Sequence, residues 1–186
     1  MPQTAAPTRD RILGAAVEEF SAHGLAGARV DRIAAAAAAN KRAIYEHFGD
    51  KEGLFDAALD HVLGALTEQV PIAEDDLPGH AGRLFDYFVA HPQALRMSLW
   101  RQLERPSAGT SADATSRYDD KVAALRDRAG AFDPVDLIVL VGGLATAWFN
   151  TPQALLAADG RDPRSAARLA EHRAAVVEAA RRLAST

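Results

Sequence analysis

An all-α fold follows from three features of the chain. Hydrophobic residues make up 48% but aromatics only 6%, so alanine supplies much of the apolar content. Alanine has the highest helix propensity, and the β-branched residues that favour strands are sparse. Helix start and stop signals recur along the chain, with no strand-like alternation of useful length between them. The pattern predicts about nine helices in two parts: a head over residues 1–50, whose first seven residues form a disordered tail, and a larger helical domain over 51–186.

The first helix is expected from Thr8 to His23. Thr8 can cap it, Asp10 suits its positive end, and Gly24 can take the left-handed conformation that stops it. Ile12, Ala16 and Phe20 recur every four residues beside Leu13 and Val17, giving one apolar stripe. A second helix starts near Val30 and runs through Ile33 into the alanines 34–39. Asn40 is a good N-cap for a third, Lys41 to Phe48; after Gly49, Asp50 can cap a fourth that reaches roughly Gln69. Pro71 to Pro78 is acidic and proline-bounded, a plausible connector. Helices follow at about 80–90, 92–104 and 112–129. Asp133-Pro134 pairs a cap with proline at the first helical position and opens a helix to Asn150; Asp162-Pro163 repeats the signal for the last helix, to about Leu183.

Composition excludes several function classes. The longest mostly apolar run, Leu137 to Phe149, has 13 residues, too few to cross a bilayer, and the N-terminus lacks the pattern of a signal peptide. With no Cys there is neither a disulfide framework nor a thiolate zinc site, which fits a cytoplasmic protein; no cofactor or metal is expected. The net charge of −4 lies entirely after residue 53, because residues 1–53 hold seven basic and seven acidic side chains. A neutral head can still bind phosphate when its cations share one face.

Three short helices in about 40 residues have helix-turn-helix spacing. Ile44-Tyr45-Glu46-His47-Phe48 and Lys51-Glu52-Gly53-Leu54 together resemble the DNA-binding module of the TetR family, over roughly residues 8–60. The resemblance implies a transcriptional repressor, not an enzyme, that binds a pseudo-palindromic double-stranded operator as a homodimer and is released by a small apolar effector. The residue types make sense independently. Ile44 and Phe48 can pack inward on Ile33 and Phe20, leaving Lys41, Arg42, Ala43, Tyr45 and His47 outward. Arg42 could fork onto a guanine and Ala43 touch a thymine methyl, while Tyr45, His47 and Lys51 donate to phosphates. In two places the sequence departs from the family pattern. Ala38 and Ala39 stand where it has glycine and an apolar residue; a left-handed alanine costs roughly 1–2 kcal/mol, or else the turn takes another shape. Arg29 stands where a hydroxyl residue often caps the second helix; it cannot cap, but it can reach a phosphate.

Past residue 50 the sequence says less. Phe88, Trp100, Tyr118 and Trp148 are the candidate effector-pocket residues, with His91, Arg96 and Asn150 as possible polar anchors. Leu137, Val141 and Leu144 with Ala170 and Val177 are the candidate dimer interface, where Gly142, Gly143 and Ala147 allow close approach. Two other readings stay open: a regulator without a small-molecule effector, and a helical enzyme using Asp86, Asp119 and Asp120 near His91. For the enzyme, no nucleophile elbow, phosphate loop or dinucleotide fingerprint appears.

Overall fold

The computed structural model describes residues 8–72, 76–106, 109, 112–126 and 132–185, so the expected tail at 1–7 lies outside the described residues. Among them are ten helices and no strand: α1 (Thr8–Gly27), α2 (Val30–Ala36), α3 (Lys41–Phe48), α4 (Lys51–Gln69), α5 (Leu77–Ala90), α6 (Pro92–Glu104), α7 (Ala112–Leu125), α8 (Pro134–Asn150), α9 (Gln153–Leu156) and α10 (Ala166–Ala184). They divide into two compact units, residues 1–66 with 91–109 and residues 67–90 with 110–186. Close packing thus groups α4 as far as Leu66, and also α6, with the three-helix head.

In the first unit the predicted stripe of α1 is buried, with Ile12, Ala16 and Phe20 fully enclosed beside Ile33, Ile44, Leu54 and Phe55. The Phe20 and Phe55 rings meet edge to face at 5.1 Å. Helix α1 breaks at Gly24, whose φ of 68° is open to glycine at little cost. The alanine run ends α2 at Ala36 instead of prolonging it. The N–H of Ala39 reaches Ala34 O at 3.0 Å and that of Ala38 reaches Ala35 O at 3.2 Å, a Schellman closure. Its left-handed position is Ala38, at φ 48°, so of the two expected alternatives the strained one is adopted. Arg11 Nε donates to Ala37 O at 3.1 Å and covers one more terminal carbonyl.

The second unit is built on α5, α8 and α10. Leu77, Ala81, Leu125, Leu137, Val141, Val176 and Ala180 form one buried cluster; Phe85, Ala145, Trp148 and Leu156 form another. Three starts differ from expectation. Helix α5 begins at Leu77 because Asp76 accepts the N–H of Gly79 at 2.9 Å, which puts Pro78 inside the first turn, where a missing N–H is harmless. Asp162 instead accepts the N–H of Arg164 at 2.9 Å in a preceding turn, and Ser165 caps α10 three residues later. The short α9 arises where Pro152 opens a single turn that buries Leu156. Asp133-Pro134 opens α8 as expected, with Asp133 accepting from Val135 N at 2.8 Å.

Candidate nucleic-acid interface

Helix α3 is short and amphipathic, so its ends need side-chain support. Asn40 Oδ1 accepts the N–H of Ala43 at 2.7 Å, and Gly49 closes the far end onto Tyr45 O at 2.9 Å. Asp50 then caps α4 by accepting from Gly53 N at 2.7 Å. A side chain at residue 53 is impossible without movement, because a Cβ there would lie 2.3 Å from Phe48 O. The two helices therefore meet at a corner of fixed shape.

Ile44 anchors α3 with no exposure, while Phe48 is half-buried beneath the Arg9 guanidinium at 5.6 Å. The opposite face is open. Lys41, Arg42, Tyr45 and His47 are exposed, and Ala43 is half-buried. Arg42 is 86% exposed, and among the described residues its ion-pair partner is Glu46, one turn on at 2.7 Å. Such a surface pair is worth about 0.3–0.5 kcal/mol, so a guanine or phosphate can displace it at small cost. Lys41 pairs with Asp31 of α2, whose hydrogen bond and charge hold the ammonium pKa above its ordinary value. Lys51 Nζ donates to Ala26 O at 3.3 Å, and the exposed Arg29 sits at the start of α2.

Arg29 makes no side-chain cap, as expected of arginine. The sequence reading missed the replacement, Glu19 of α1. Its Oε1 accepts the N–H of Arg29 at 2.8 Å, and Arg32 grips the same carboxylate through Nε and Nη2. Burial pushes the Glu19 pKa up, but the bonds from Arg32 and Arg29 and the charges of Arg32 and His23 outweigh it, leaving the pKa below its usual value. No local pattern reveals this contact, because Glu19 and Arg29 lie on different helices.

The candidate effector residues divide between the units. Phe88 and Trp148 are buried in the second unit and joined by a chain of rings: Phe88 to Phe149 at 6.3 Å, Phe149 to Phe85 at 5.6 Å, Phe85 to His172 at 5.4 Å and His172 to Trp148 at 4.4 Å. Arg168 stacks over Trp148 at 4.5 Å. Tyr118, on α7, is half exposed near Lys121. Trp100 belongs to the first unit, where Nε1 donates to Ser21 O at 3.2 Å. Of the open alternative's carboxylates, Asp86 is gripped by Arg173 at 2.8 and 2.9 Å, and Asp119 and Asp120 are exposed.

Among the candidate interface residues, Leu137 and Val141 are buried in the chain's own core, Leu144 and Val177 are half-buried and Ala170 is exposed. The outward stripe of α8 is Val139, Leu140, Gly143 and Ala147; on α10 it is Ala167, Ala170 and Ala174. No helix among the described residues is long and apolar enough to cross a membrane, and no group of three His, Asp or Glu among them could hold a metal ion.

A capped, outward-facing third helix on a three-helix head is the architecture of a helix-turn-helix DNA-binding protein. The sequence matches the bacterial regulatory proteins of the tetR family over residues 12–58, and the tetracyclin repressor-like C-terminal domain over residues 76–182. It is 41% identical over 154 residues to the HTH-type transcriptional repressor SCO4008 of Streptomyces coelicolor, covering 78% of this chain and 80% of that one. The crystal structure of SCO4942, also from Streptomyces coelicolor, superposes with a TM-score of 0.81 at 37% identity, covering 95% of this chain and 98% of that one. AibR, crystallised with isovaleryl coenzyme A and operator DNA, shares the fold at a TM-score of 0.61 and 17% identity, over 92% of this chain and 96% of that one. The chain belongs to the tetR family of transcriptional regulators.

Proposed function

We propose that the protein is a ligand-responsive transcriptional repressor that binds a pseudo-palindromic operator as a homodimer and releases it when a small apolar effector binds. The observation that carries this reading is the open face of α3, where Arg42 is 86% exposed and, among the described residues, pairs with Glu46 in a weak surface pair. Arg42 and Ala43 read bases; Lys41, Tyr45, His47, Lys51 and Arg29 hold phosphates and set register. Repression is the function named for SCO4008, whose sequence this chain follows over most of its length.

Dimerisation uses α8 and α10. A Cβ on Gly142 or Gly143 would meet nothing within 4 Å, so no packing among the described residues requires a glycine at either position. With Val139 and Leu140 they leave a smooth apolar face suited to an isologous contact, with Leu137, Val141, Leu144 and Val177 supporting it from beneath and Ala170 adding to it from α10. In the dimer the two α3 helices sit about 34–36 Å apart, one DNA turn.

The effector site is drawn from the aromatic residues Phe88, Trp148 and Tyr118 of the second unit. Helix α4 starts beside α3 and runs past Leu66 into the second unit, so a shift along it changes the spacing of the reading heads. AibR shows that this fold can hold both a ligand and an operator. The test is a reporter driven by DNA from upstream of the protein's own gene. The chain should silence it, and a compound that raises the protein's melting temperature should restore expression. Unchanged or increased expression in the presence of the chain rejects repression.

A further inference from the structure

Helix α6 ends against the reading head. The Glu104 carboxylate accepts the backbone N–H of Leu25 and, at 3.3 Å, that of Ala26. One turn earlier, Trp100 donates its indole N–H to Ser21 O at 3.2 Å. Its ring lies against Gly24, where a Cβ would come within 2.9 Å of Trp100 Cε3 and 2.8 Å of Glu104 Oε1. The next residue, Arg105, bonds Asp56 at 2.8 Å and Glu52 O at 3.4 Å on α4. The end of α6 thus grips the segments on either side of the α2–α3 pair: the corner at 24–29 that leads into α2, and the first turns of α4.

We propose that Glu104 and Trp100 are positioning residues for DNA binding, holding the Gly24–Arg29 corner in the one conformation that presents α2 and α3 to the duplex. Glu104 touches no DNA. It supplies a charged acceptor to the two N–H groups that follow the break at Gly24, and such bonds are stronger than neutral ones. Lys51, a proposed phosphate ligand, bonds Ala26 O in the same corner, so a corner that moves takes Lys51 with it. Without Glu104 the corner samples other conformations. Apparent affinity then falls by the fraction of molecules still competent.

The inference rests on the DNA-binding reading, and the test separates the two. The parent protein first selects a duplex from a random-sequence library. That duplex is then titrated with the parent, Glu104→Ala, Glu104→Gln and Trp100→Phe, at a temperature where circular dichroism shows each fully folded. Glu104→Ala should bind about tenfold more weakly, the size of one lost charge-assisted bond. Glu104→Gln, which keeps an acceptor oxygen, should recover most of the loss. Trp100→Phe keeps the ring but loses the Ser21 bond and should be weakened less. The slope of affinity against salt should equal the parent's in every variant, because no phosphate contact is removed. Amide exchange should speed up at Leu25 and Ala26 in Glu104→Ala. A folded Glu104→Ala that binds like the parent overturns the inference and leaves DNA binding intact, as does a changed salt slope. A parent that selects no duplex overturns both.

Discussion

Glu19 accepts the backbone N–H of Arg29 at 2.8 Å, so the N-terminus of α2 is capped from a different helix. The same carboxylate takes Arg32, and its side chain is only 10% exposed. Removing it takes the acceptor from the Arg29 N–H and the carboxylate from Arg32, which keeps only its bond to Gly27 O at 3.2 Å among the described residues. Glu19→Ala should cost about 2 kcal/mol in urea denaturation, in the range for losing a hydrogen bond to a charged group. Glu19→Gln, which can still accept from Arg29, should cost less. Equal stability of all three would show that the cap contributes nothing.

Ala38 sits at φ 48°, where an alanine side chain crowds its own backbone. Ala38→Gly relieves that strain but frees the unfolded chain, and the net gain should be about 0.5–1 kcal/mol. A thermal melt measures it. A loss of stability would mean that the alanine contributes packing that outweighs the strain.

The alanines around this turn show where sequence reading ends. Asn40, Gly49 and Asp50 are local signals, and α3 has the bounds they predict. The end of α2 is not local in that sense: six alanines at 34–39 give no hint that Ala36 is the last helical residue, since the Schellman closure and Arg11 on α1 decide it. Helix α8 is apolar nearly all round, so periodicity could not separate the inward Leu137 and Val141 from the outward Val139 and Leu140. Trp100 reads equally well as a pocket wall or as a brace, and only the fold places it beside Ser21 and Gly24. The resemblance fixed the identity of the head, but no pattern in the chain assigns α6 to it.

Two histidines set a pH dependence. Burial holds the pKa of His172 below the ordinary 6.5, and the charge of Arg168 pushes it the same way. Burial likewise lowers that of His80, only partly offset by its bond to Pro71 O. Folding disfavours the protonated form of both rings, which take up protons more readily when unfolded. Their contribution is therefore complete above about pH 6.5 and is lost as pH falls below it. The melting temperature should drop between about pH 7 and 5.5, and His172→Phe should flatten that drop. An unchanged profile in the variant would rule out His172 as a source.

Val139 is 64% exposed on the outward stripe of α8. On a monomer, Val139→Glu would be an ordinary surface change of at most about 0.5 kcal/mol. In the proposed dimer it buries an unpaired charge opposite its own symmetry mate. Light scattering should show the parent as a dimer and the variant as a monomer. A monomeric parent, or a variant that stays dimeric, would place the interface elsewhere or remove it.

The central claim is that α3 reads DNA, and Arg42 tests it most directly. The measurement is a footprint and binding titration on the parent's selected duplex, comparing the parent with Arg42→Ala and Lys51→Ala. The account predicts that Arg42→Ala loses about 1–3 kcal/mol and relaxes preference at one base pair in each half-site, while Lys51→Ala weakens all sequences alike and flattens the salt dependence. Variants that both footprint and titrate like the parent would contradict it.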